Sequence, residues 1–414
     1  MIDTQEKVTR ALLVSVDTGK FDAESSLDEL CELAESAGAE PVLTVLQKLD
    51  RVEPATFVGS GKLMEIKEMC EVQEIDLIVC DSELTPTQIK TLERETDVRV
   101  IDRTTLILDI FALRARSREG KLQVELAQLK YLLPRLTGKG VELSRLGGGI
   151  GTRGPGETKL ETDRRHIHRR METLKEQLKD VENHRSRLRD RREKDGVITV
   201  AIVGYTNAGK STLMNYLTDA GVLAQDKLFA TLDPTSRALK LPSGVTVMLI
   251  DTVGLVRRLP HGLVEAFKST LEEAAFSDII LNVCDAGSDE ADVHMQVTAD
   301  LLCELGCGDT PIINVLNKCD KLDPIDIAPD SEKTVHISAK EGRGIDKLLE
   351  AIDNNLPVRV KRVKLLLPFS MAGTGSEIRE KATLISENYT AEGIVIEAVI
   401  DESMYRRLRE YVVD

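Results

Sequence analysis

One eight-residue stretch of the chain carries residue types at a spacing that suits phosphate binding. It reads Gly204-Tyr205-Thr206-Asn207-Ala208-Gly209-Lys210-Ser211, after the apolar run 197–203 and before the helix-like run 212–217. The two glycines let successive N–H groups turn into one concavity for anionic oxygens, and the following helix adds its positive end. The lysine can reach the β- and γ-phosphates of a nucleotide, and the serine hydroxyl can ligate Mg²⁺. The alternative is an accidental glycine-rich turn, against which the order of strand, loop and helix argues.

A second apolar run ends in a segment that can meet the γ-phosphate and the metal. This segment is Asp251-Thr252-Val253-Gly254, in which Asp251 can hold a magnesium-bound water and the Gly254 N–H can contact the γ-phosphate. The next residue is Leu255, where many enzymes of this chemistry carry a glutamine that orients the attacking water. Leucine cannot hydrogen-bond water, and no arginine finger can be assigned within the domain. We therefore assign no catalytic side chain and expect slow hydrolysis that a partner accelerates by at least about tenfold.

Two further segments point to the base of the nucleotide. Asn317-Lys318-Cys319-Asp320 and Ser338-Ala339-Lys340 each follow an apolar run. The Asp320 carboxylate can accept hydrogen bonds from guanine N1–H and its exocyclic amine, whereas adenine would leave the charge unpaired. The Lys318 stem can lie on the base plane, and the Ala339 N–H can meet guanine O6. Each motif is weak alone, but four in this order resemble a GTPase domain of the translation-factor-like class.

The second magnesium ligand is expected between the phosphate loop and Asp251. Phe229-Ala230-Thr231-Leu232-Asp233-Pro234-Thr235 is the candidate segment. Thr231 would bind Mg²⁺ through its hydroxyl and the γ-phosphate through its N–H, so the segment would be ordered only with GTP bound. An ordinary loop threonine, or Thr235 in the same role, stays open as an alternative.

The predicted nucleotide site can now be stated in full. The predicted GTP-binding residues are Gly204, Tyr205, Thr206, Asn207, Ala208, Gly209, Lys210, Ser211, Phe229, Ala230, Thr231, Leu232, Asp233, Asp251, Thr252, Val253, Gly254, Asn317, Lys318, Cys319, Asp320, Ser338, Ala339 and Lys340. The predicted magnesium ligands are Ser211 and Thr231, with Asp251 acting through a water.

Length and composition limit the function classes. The chain has 414 residues, 42% of them hydrophobic, and no apolar run approaches the length of a membrane span. The first residues lack a basic-then-apolar signal pattern, so we expect a cytoplasmic protein. We also predict that it is monomeric and that part of it can associate peripherally with membranes. The seven cysteines are scattered and odd in number, which argues against a disulfide framework. Cys303 and Cys307 could share a helix face, but without a second pair we expect no metal site there.

The charge distribution contrasts with the net charge. The chain carries a net charge of −15, which taken alone argues against a nucleic-acid partner. Between Arg114 and Arg170, however, fourteen side chains are basic and six are acidic. Such a zone is typical of a surface that meets a phosphate backbone, and a solvated, salt-bridged helix surface is the alternative.

The same zone has the pattern of a helical hairpin. Apolar residues recur at helical spacing over 122–136 and again over 167–181, and Pro134 should end or kink the first helix. Eight glycines lie in the connection from about Thr137 to Lys159, too many for a packed core. A second nucleotide site there is disfavoured because no strand precedes it and no Gly-Lys-Ser ends it. Our candidate RNA-binding residues are Arg145, Arg153, Lys159, Arg164 and Arg165.

The rest of the pattern predicts an α/β protein with four domains. We place a small parallel α/β domain at 1–105, the antiparallel helical hairpin with its glycine-rich loop at 106–195, the P-loop GTPase domain at 196–357 and a small α+β domain at 358–414. The GTPase domain should have a mostly parallel sheet with helices on both faces. Gly59-Ser60-Gly61-Lys62 lacks the full phosphate-loop spacing, so we expect it to begin a helix.

One long motif makes the resemblance specific. Residues 145–165, RLGGGIGTRGPGETKLETDRR, look like the signature of the HflX family of ribosome-associated GTPases. The similarity extends to 56–62, 122–131 and 229–235, and so spans nearly all of the chain before residue 358. Leu255 stands where the family usually has another apolar residue, which is a mild departure.

The resemblance implies partners as well as an activity. It implies GTP and GDP binding, Mg²⁺ as cofactor, some use of ATP, and binding to the large (50S) ribosomal subunit with its RNA near the peptidyl-transferase region. It also implies splitting of stalled or hibernating ribosomes under stress. A ribosome-assembly or regulatory GTPase that binds RNA or protein without splitting ribosomes is the alternative that the residues leave open.

Overall fold

We describe the protein from a computed structural model, which forms two compact units. The described residues are 8–138, 155–218, 228–229, 235–258, 273–288, 290–307, 310–323, 330–331, 333–357 and 360–413. The first unit holds the residues up to 181 together with 228–229 and 256–258, and the second holds the other described residues. The four domain boundaries given above stay a prediction.

The first unit is built on a parallel sheet. Its strands are β1 (Thr9–Asp17), β2 (Ala39–Lys48), β3 (Leu77–Cys80) and β4 (Arg99–Asp102). Its helices are α1 (Ala23–Ser36), α2 (Ser60–Val72), α3 (Pro86–Thr96), α4 (Arg103–Arg114), α5 (Arg118–Leu132) and the first part of α6 (Pro155–Lys194). The strand order is β2-β1-β3-β4, with every neighbouring pair parallel, so the predicted parallel α/β arrangement is confirmed.

Local sequence signals explain where these helices begin. Asp22 caps α1 by accepting hydrogen bonds from two backbone N–H groups, and Thr85 and Gln88 form a capping box on α3. Gly59 is the residue before α2, so the Gly-Ser-Gly-Lys stretch begins a helix as predicted.

The helical hairpin is present in the described part of the chain. α5 ends at Leu132, just before Pro134, and a 3-10 helix covers Leu133–Gly138. Leu122, Leu126, Met171 and Leu174 form one buried cluster between α5 and α6, as the apolar spacing predicts. α6 begins at Pro155, earlier than the predicted boundary near Lys159, because proline suits the first helical position.

The second unit contains the sheet that positions the phosphate loop. Its strands are β5 (Ile198–Gly204), β6 (Thr235–Lys240), β7 (Thr246–Asp251), β8 (Ile279–Asp285), β9 (Ile312–Asn317) and β10 (Thr334–His336). Its helices include α7 (Lys210–Thr218), α8 (Ala291–Glu304) and α9 (Ile345–Asn354). The strand order is β10-β9-β8-β5-β7-β6, parallel except for the edge strand β6, which confirms the predicted mostly parallel sheet.

A small antiparallel sheet completes the second unit. Its elements are β11 (Val360–Leu367), α10 (Ala372–Lys381), β12 (Thr383–Tyr389), β13 (Ile394–Asp401), α11 (Glu402–Leu408) and β14 (Val412–Val413). The strand order is β12-β13-β11-β14, so the predicted β-α-β-β-α tail gains one short strand that two residues could not signal. Val399 belongs to the same buried cluster as the core of the large sheet, so the two sheets of this unit pack together. Among the described residues, no helix is long and apolar enough to cross a membrane.

Candidate functional site

The phosphate loop connects β5 to α7 in the second unit. All seven residues of β5 are buried, which fixes the start of the loop in the sheet. Gly209 has φ +91°, and a Cβ there would lie 2.3 Å from the Asn317 Nδ2 atom. The glycine is therefore required both for its left-handed backbone and for the close approach of the base-binding segment.

Lys210 is placed as the phosphate-loop chemistry demands. Its ammonium donates to the carbonyl oxygens of Gly204 at 3.0 Å and Tyr205 at 2.7 Å, so the side chain folds back over the loop. Only 7% of the residue is exposed. The pKa of Lys210 is lowered to about 8, mainly by burial; the Asp251 carboxylate partly opposes this and the Lys318 charge adds to it.

The two residues predicted to serve the metal meet directly. The Ser211 hydroxyl donates to Asp251 Oδ2 at 2.9 Å, and Asp251 is 1% exposed. Gly254 packs closely against the phosphate loop, because a Cβ at that position would lie 2.7 Å from Thr206 Cγ2 and 3.0 Å from the Lys210 ammonium. The Asp-x-x-Gly segment and the phosphate loop are therefore in direct contact.

Leu255 is held away from any polar role. Its N–H donates to the Gly204 carbonyl at 3.2 Å, and its carbonyl accepts from the Thr206 N–H at 2.7 Å. Its side chain is buried against Tyr205, with Leu301 and Leu305 beside them. The residue after Gly254 thus fills an apolar cluster, consistent with the absence of a water-positioning group at this place in the sequence.

The base-binding segments lie at the carboxyl ends of β9 and β10. Asn317 ties them to the phosphate loop, since its Nδ2 donates to the Ala208 carbonyl at 2.8 Å and its Oδ1 accepts from the Ala339 N–H at 2.9 Å. The Ala339 N–H therefore lies at the strand end where the sequence places it and donates to Asn317 Oδ1 in this structure. Its role as the donor to guanine O6 stays a prediction.

Asp320 is prepared to act as a charged acceptor. Its Oδ1 accepts a hydrogen bond from the buried Ser338 hydroxyl at 2.6 Å, which lowers the pKa of Asp320. The neighbouring Lys318 has φ +65°, a left-handed conformation, and Cys319 is buried. The structure therefore brings together the described residues of all four predicted motifs.

The segment predicted to supply the second magnesium ligand lies mostly outside the described residues. Ala230, Thr231, Leu232, Asp233 and Pro234 lie outside the described residues. Phe229 belongs to the first unit, where its ring is buried and contacts Phe111 edge-on with 4.6 Å between ring centroids. Contact of Phe229 with GTP stays a prediction, and its side chain serves packing here.

Some of the candidate RNA-binding residues also lie outside the described residues, and the others lie on α6. Arg145 and Arg153 lie outside the described residues, and only the backbone of Lys159 is described, within α6. Arg164 and Arg165 are exposed on α6, where Arg165 lies 3.5 Å from Glu161. Nothing in the described structure covers these two arginines, which is the condition that RNA contact requires.

Sequence reasoning missed two carboxylates at strand ends. Asp81 is fully buried after β3 and accepts hydrogen bonds from Arg103 at 2.8 Å and Arg258 at 2.5 Å. Asp285, the last residue of β8, lies 2.9 Å from the Lys318 ammonium. In both cases an acidic residue at the carboxyl end of a buried parallel strand was the available signal, since such ends converge on one edge of the sheet.

The depressed pKa of Lys210 predicts a pH dependence of nucleotide binding. Phosphate oxygens favour the charged ammonium, so binding above the pKa of about 8 must be accompanied by proton uptake. We expect GDP affinity to be about fourfold lower at about pH 8.5 than at about pH 7. Calorimetric titration in two buffers of different ionisation heat measures the uptake. Equal observed heats in both buffers near pH 8 would show that Lys210 does not change protonation.

Comparison with known proteins places the chain in a family. Residues 24–112 match the family described as GTP-binding GTPase N-terminal, 114–192 its Middle Region, and 199–318 the family described as 50S ribosome-binding GTPase. A GTPase HflX of Caldanaerobacter subterraneus subsp. tengcongensis is 51% identical over 405 residues, covering 98% of this chain and 94% of that protein. The GTPase HflX of Escherichia coli K12 is 42% identical over 373 residues, covering 89% of this chain and 88% of that protein.

One solved structure aligns over most of the chain at low structural similarity. A GTP-binding protein from the archaeon Sulfolobus solfataricus in complex with GDP has 26% identity and a TM-score of 0.46, covering 84% of this chain and 98% of that one. The family rests instead on the sequence relatives, whose identity extends over both the nucleotide site and the hairpin. With the four nucleotide motifs assembled at one edge of a parallel sheet, the chain belongs to the HflX family of GTPases.

Proposed function

We propose that this GTPase binds the large (50S) ribosomal subunit and uses GTP to split stalled or hibernating ribosomes under stress. The observation that carries the proposal is the pair of exposed arginines on α6, Arg164 and Arg165, in a chain whose GTPase segment matches a family described as 50S ribosome-binding. α6 has 40 residues and therefore a length of about 60 Å.

The residues present fit a magnesium ion at the nucleotide. A hydroxyl and a buried carboxylate, those of Ser211 and Asp251, meet beside the phosphate loop, and oxygen donors of this kind suit Mg²⁺. When bound there, Mg²⁺ would neutralise charge on the β- and γ-phosphates. Ser211 would be its direct ligand and Asp251 would act through a water. Thr231 stays the predicted second ligand.

The groups that complete hydrolysis are proposed to come from the ribosome. Leu255 is buried in an apolar cluster and offers no hydrogen bond to water. Lys210, the Gly254 N–H and the metal can bind the phosphates, but none of them orients an attacking water. Phosphate release should therefore be slow for the protein alone and faster with large subunits, while equal rates would contradict activation by the partner.

An assembly or regulatory GTPase that binds ribosomal RNA without separating subunits is the second candidate. The same basic surface favours it, so ribosome binding alone cannot distinguish the two. Sucrose gradients of intact ribosomes with the protein and either GTP or a non-hydrolysable analogue are the deciding experiment. Free subunits that accumulate with the protein support splitting, whereas unchanged ribosomes with bound protein support the second candidate.

Deletion of Lys139 to Lys159 tests the role of the glycine-rich connection. We expect nucleotide binding to stay nearly intact, because the segment lies outside the four nucleotide motifs, and ribosome binding or splitting to be lost. Co-sedimentation with large subunits at two salt concentrations measures the effect, since binding that depends on phosphate contacts weakens as salt rises.

Substitutions of arginines test whether charge on α6, and not only the presence of the deleted segment, supports ribosome binding. The double variant Arg164→Ala, Arg165→Ala removes two exposed charges from α6. The control Arg94→Ala removes one charge from α3, where the Arg94 side chain is 73% exposed. The first variant should co-sediment less and the second should match the unchanged protein. If the deletion variant co-sediments and splits normally but changes basal hydrolysis, the connection acts on the GTPase domain and not on RNA.

A further inference from the structure

We propose that Asp285 is a positioning residue for guanine binding, which it serves by holding the ammonium group of Lys318. The inference rests on the assignment of the guanine base to Lys318 and Asp320. It adds a residue that supports base affinity and lies outside the four nucleotide motifs. It concerns only residues of the second unit, all of them at the carboxyl edge of one sheet.

The sheet places Asp285 beside the base-binding segment. Asp285 is the last residue of β8 and Asn317 the last of β9, and the two residues pair in the parallel register. The Ala286 N–H donates to the Asn317 carbonyl at 2.8 Å, which keeps the two strand ends together. The Asp285 side chain therefore emerges next to the backbone that leads into Lys318.

The carboxylate is fixed on both sides. Its Oδ2 lies 2.9 Å from the Lys318 ammonium, and its Oδ1 accepts from the Gly287 N–H at 3.0 Å. Lys318 itself has φ +65°, so its backbone is held in a conformation that few residues adopt. Both ends of the lysine side chain are thus constrained, the Cα by the backbone and the Nζ by Asp285.

This constraint has a consequence for base affinity. A lysine stem that is free in solution loses rotamer freedom when a flat base settles on it, and that loss weakens binding. Asp285 removes much of the freedom before the base arrives, and it neutralises the ammonium so that the stem presents its methylene groups. Because a stacked stem contacts the face of the base, the effect should not depend on the groups at the edge of the base.

A second lysine on the same carboxylate provides a matched control. The Lys321 ammonium lies 3.7 Å from Asp285 Oδ2, and its side chain is 57% exposed, against 21% for Lys318. If Asp285 acts only by balancing local charge, replacing either lysine should weaken nucleotide binding. If it acts by positioning the lysine stem, only the replacement of Lys318 should weaken binding.

The test is a double-mutant cycle read with two nucleotides. Dissociation constants of GDP and of inosine diphosphate, which lacks the exocyclic amine, are measured for Asp285→Asn, Lys318→Ala, the double variant and Lys321→Ala. We expect Asp285→Asn to raise both constants by about fivefold to tenfold, equally for the two nucleotides. In the Lys318→Ala background the same substitution should change them less than about twofold, as should Lys321→Ala alone.

Further readouts separate positioning from general damage. Asp285→Asn should raise the KM for GTP with an unchanged kcat, and Asp285→Glu should restore part of the affinity because the charge is kept. Equal weakening with and without the Lys318 side chain would overturn the inference, as would unchanged affinity in Asp285→Asn. A protein that binds neither nucleotide before any substitution would instead contradict the assignment of the guanine site.

Discussion

Replacement of Lys210 by alanine is expected to abolish tight nucleotide binding, with the dissociation constant of GDP raised at least about 100-fold. The ammonium is buried and folded over the phosphate loop, so the variant loses the one lysine charge that the loop encloses. Charge-assisted hydrogen bonds to phosphate oxygens are about twice as strong as neutral ones. Fluorescence or calorimetric titration with GDP and GTP measures the loss.

Ser211→Ala is the matched comparison for Lys210→Ala. It removes the hydroxyl that donates to Asp251, and with it the predicted magnesium ligand, but leaves the charge of the loop in place. Its affinity should therefore fall less and should become insensitive to added Mg²⁺. If both variants bind nucleotide as the unchanged protein does, with and without Mg²⁺, this loop is not the nucleotide site.

Asp320→Asn is the second substitution with a large expected effect, a loss of about 2–4 kcal/mol in guanine affinity. The reason is that one charged acceptor is lost from a paired contact with N1–H and the exocyclic amine. The Ser338 hydroxyl bond lowers the pKa of Asp320, so the carboxylate is charged at neutral pH and available to the base.

Competition between GTP and ATP decides whether Asp320 reads the base. In the unchanged protein GTP should displace ATP at much lower concentration, and Asp320→Asn should narrow that difference. Ser338→Ala is a control with a smaller expected loss of guanine affinity, since it removes the hydrogen bond to the Asp320 carboxylate but leaves the carboxylate in place. A parallel fall of GTP and ATP affinity in Asp320→Asn would mean that Asp320 supports the fold and not the choice of base.

The nucleotide site could be predicted from the sequence because its parts are local. The phosphate loop, the Asp-x-x-Gly segment and the Asn-Lys-Cys-Asp segment each combine an apolar strand with a short polar turn, and both features appear in consecutive residues. The parallel order of the strands then brings the ends together, as the contacts of Asn317 with Ala208 and Ala339 illustrate. The same reasoning correctly identified Gly59 to Lys62 as a helix start and Pro134 as a helix end.

The sequence by itself thus determined the fold class and placed the predicted base-binding and phosphate-binding residues at strand ends, because periodicity and short-range spacing encode them. Only the tertiary structure decided which partner each polar atom finds when several compete. The Ala339 N–H donates to Asn317, Asp81 pairs with two arginines, and Asp285 holds Lys318. These pairs join residues 22 to 177 positions apart along the chain, and the contact that forms depends on strand register and burial, which no local pattern records.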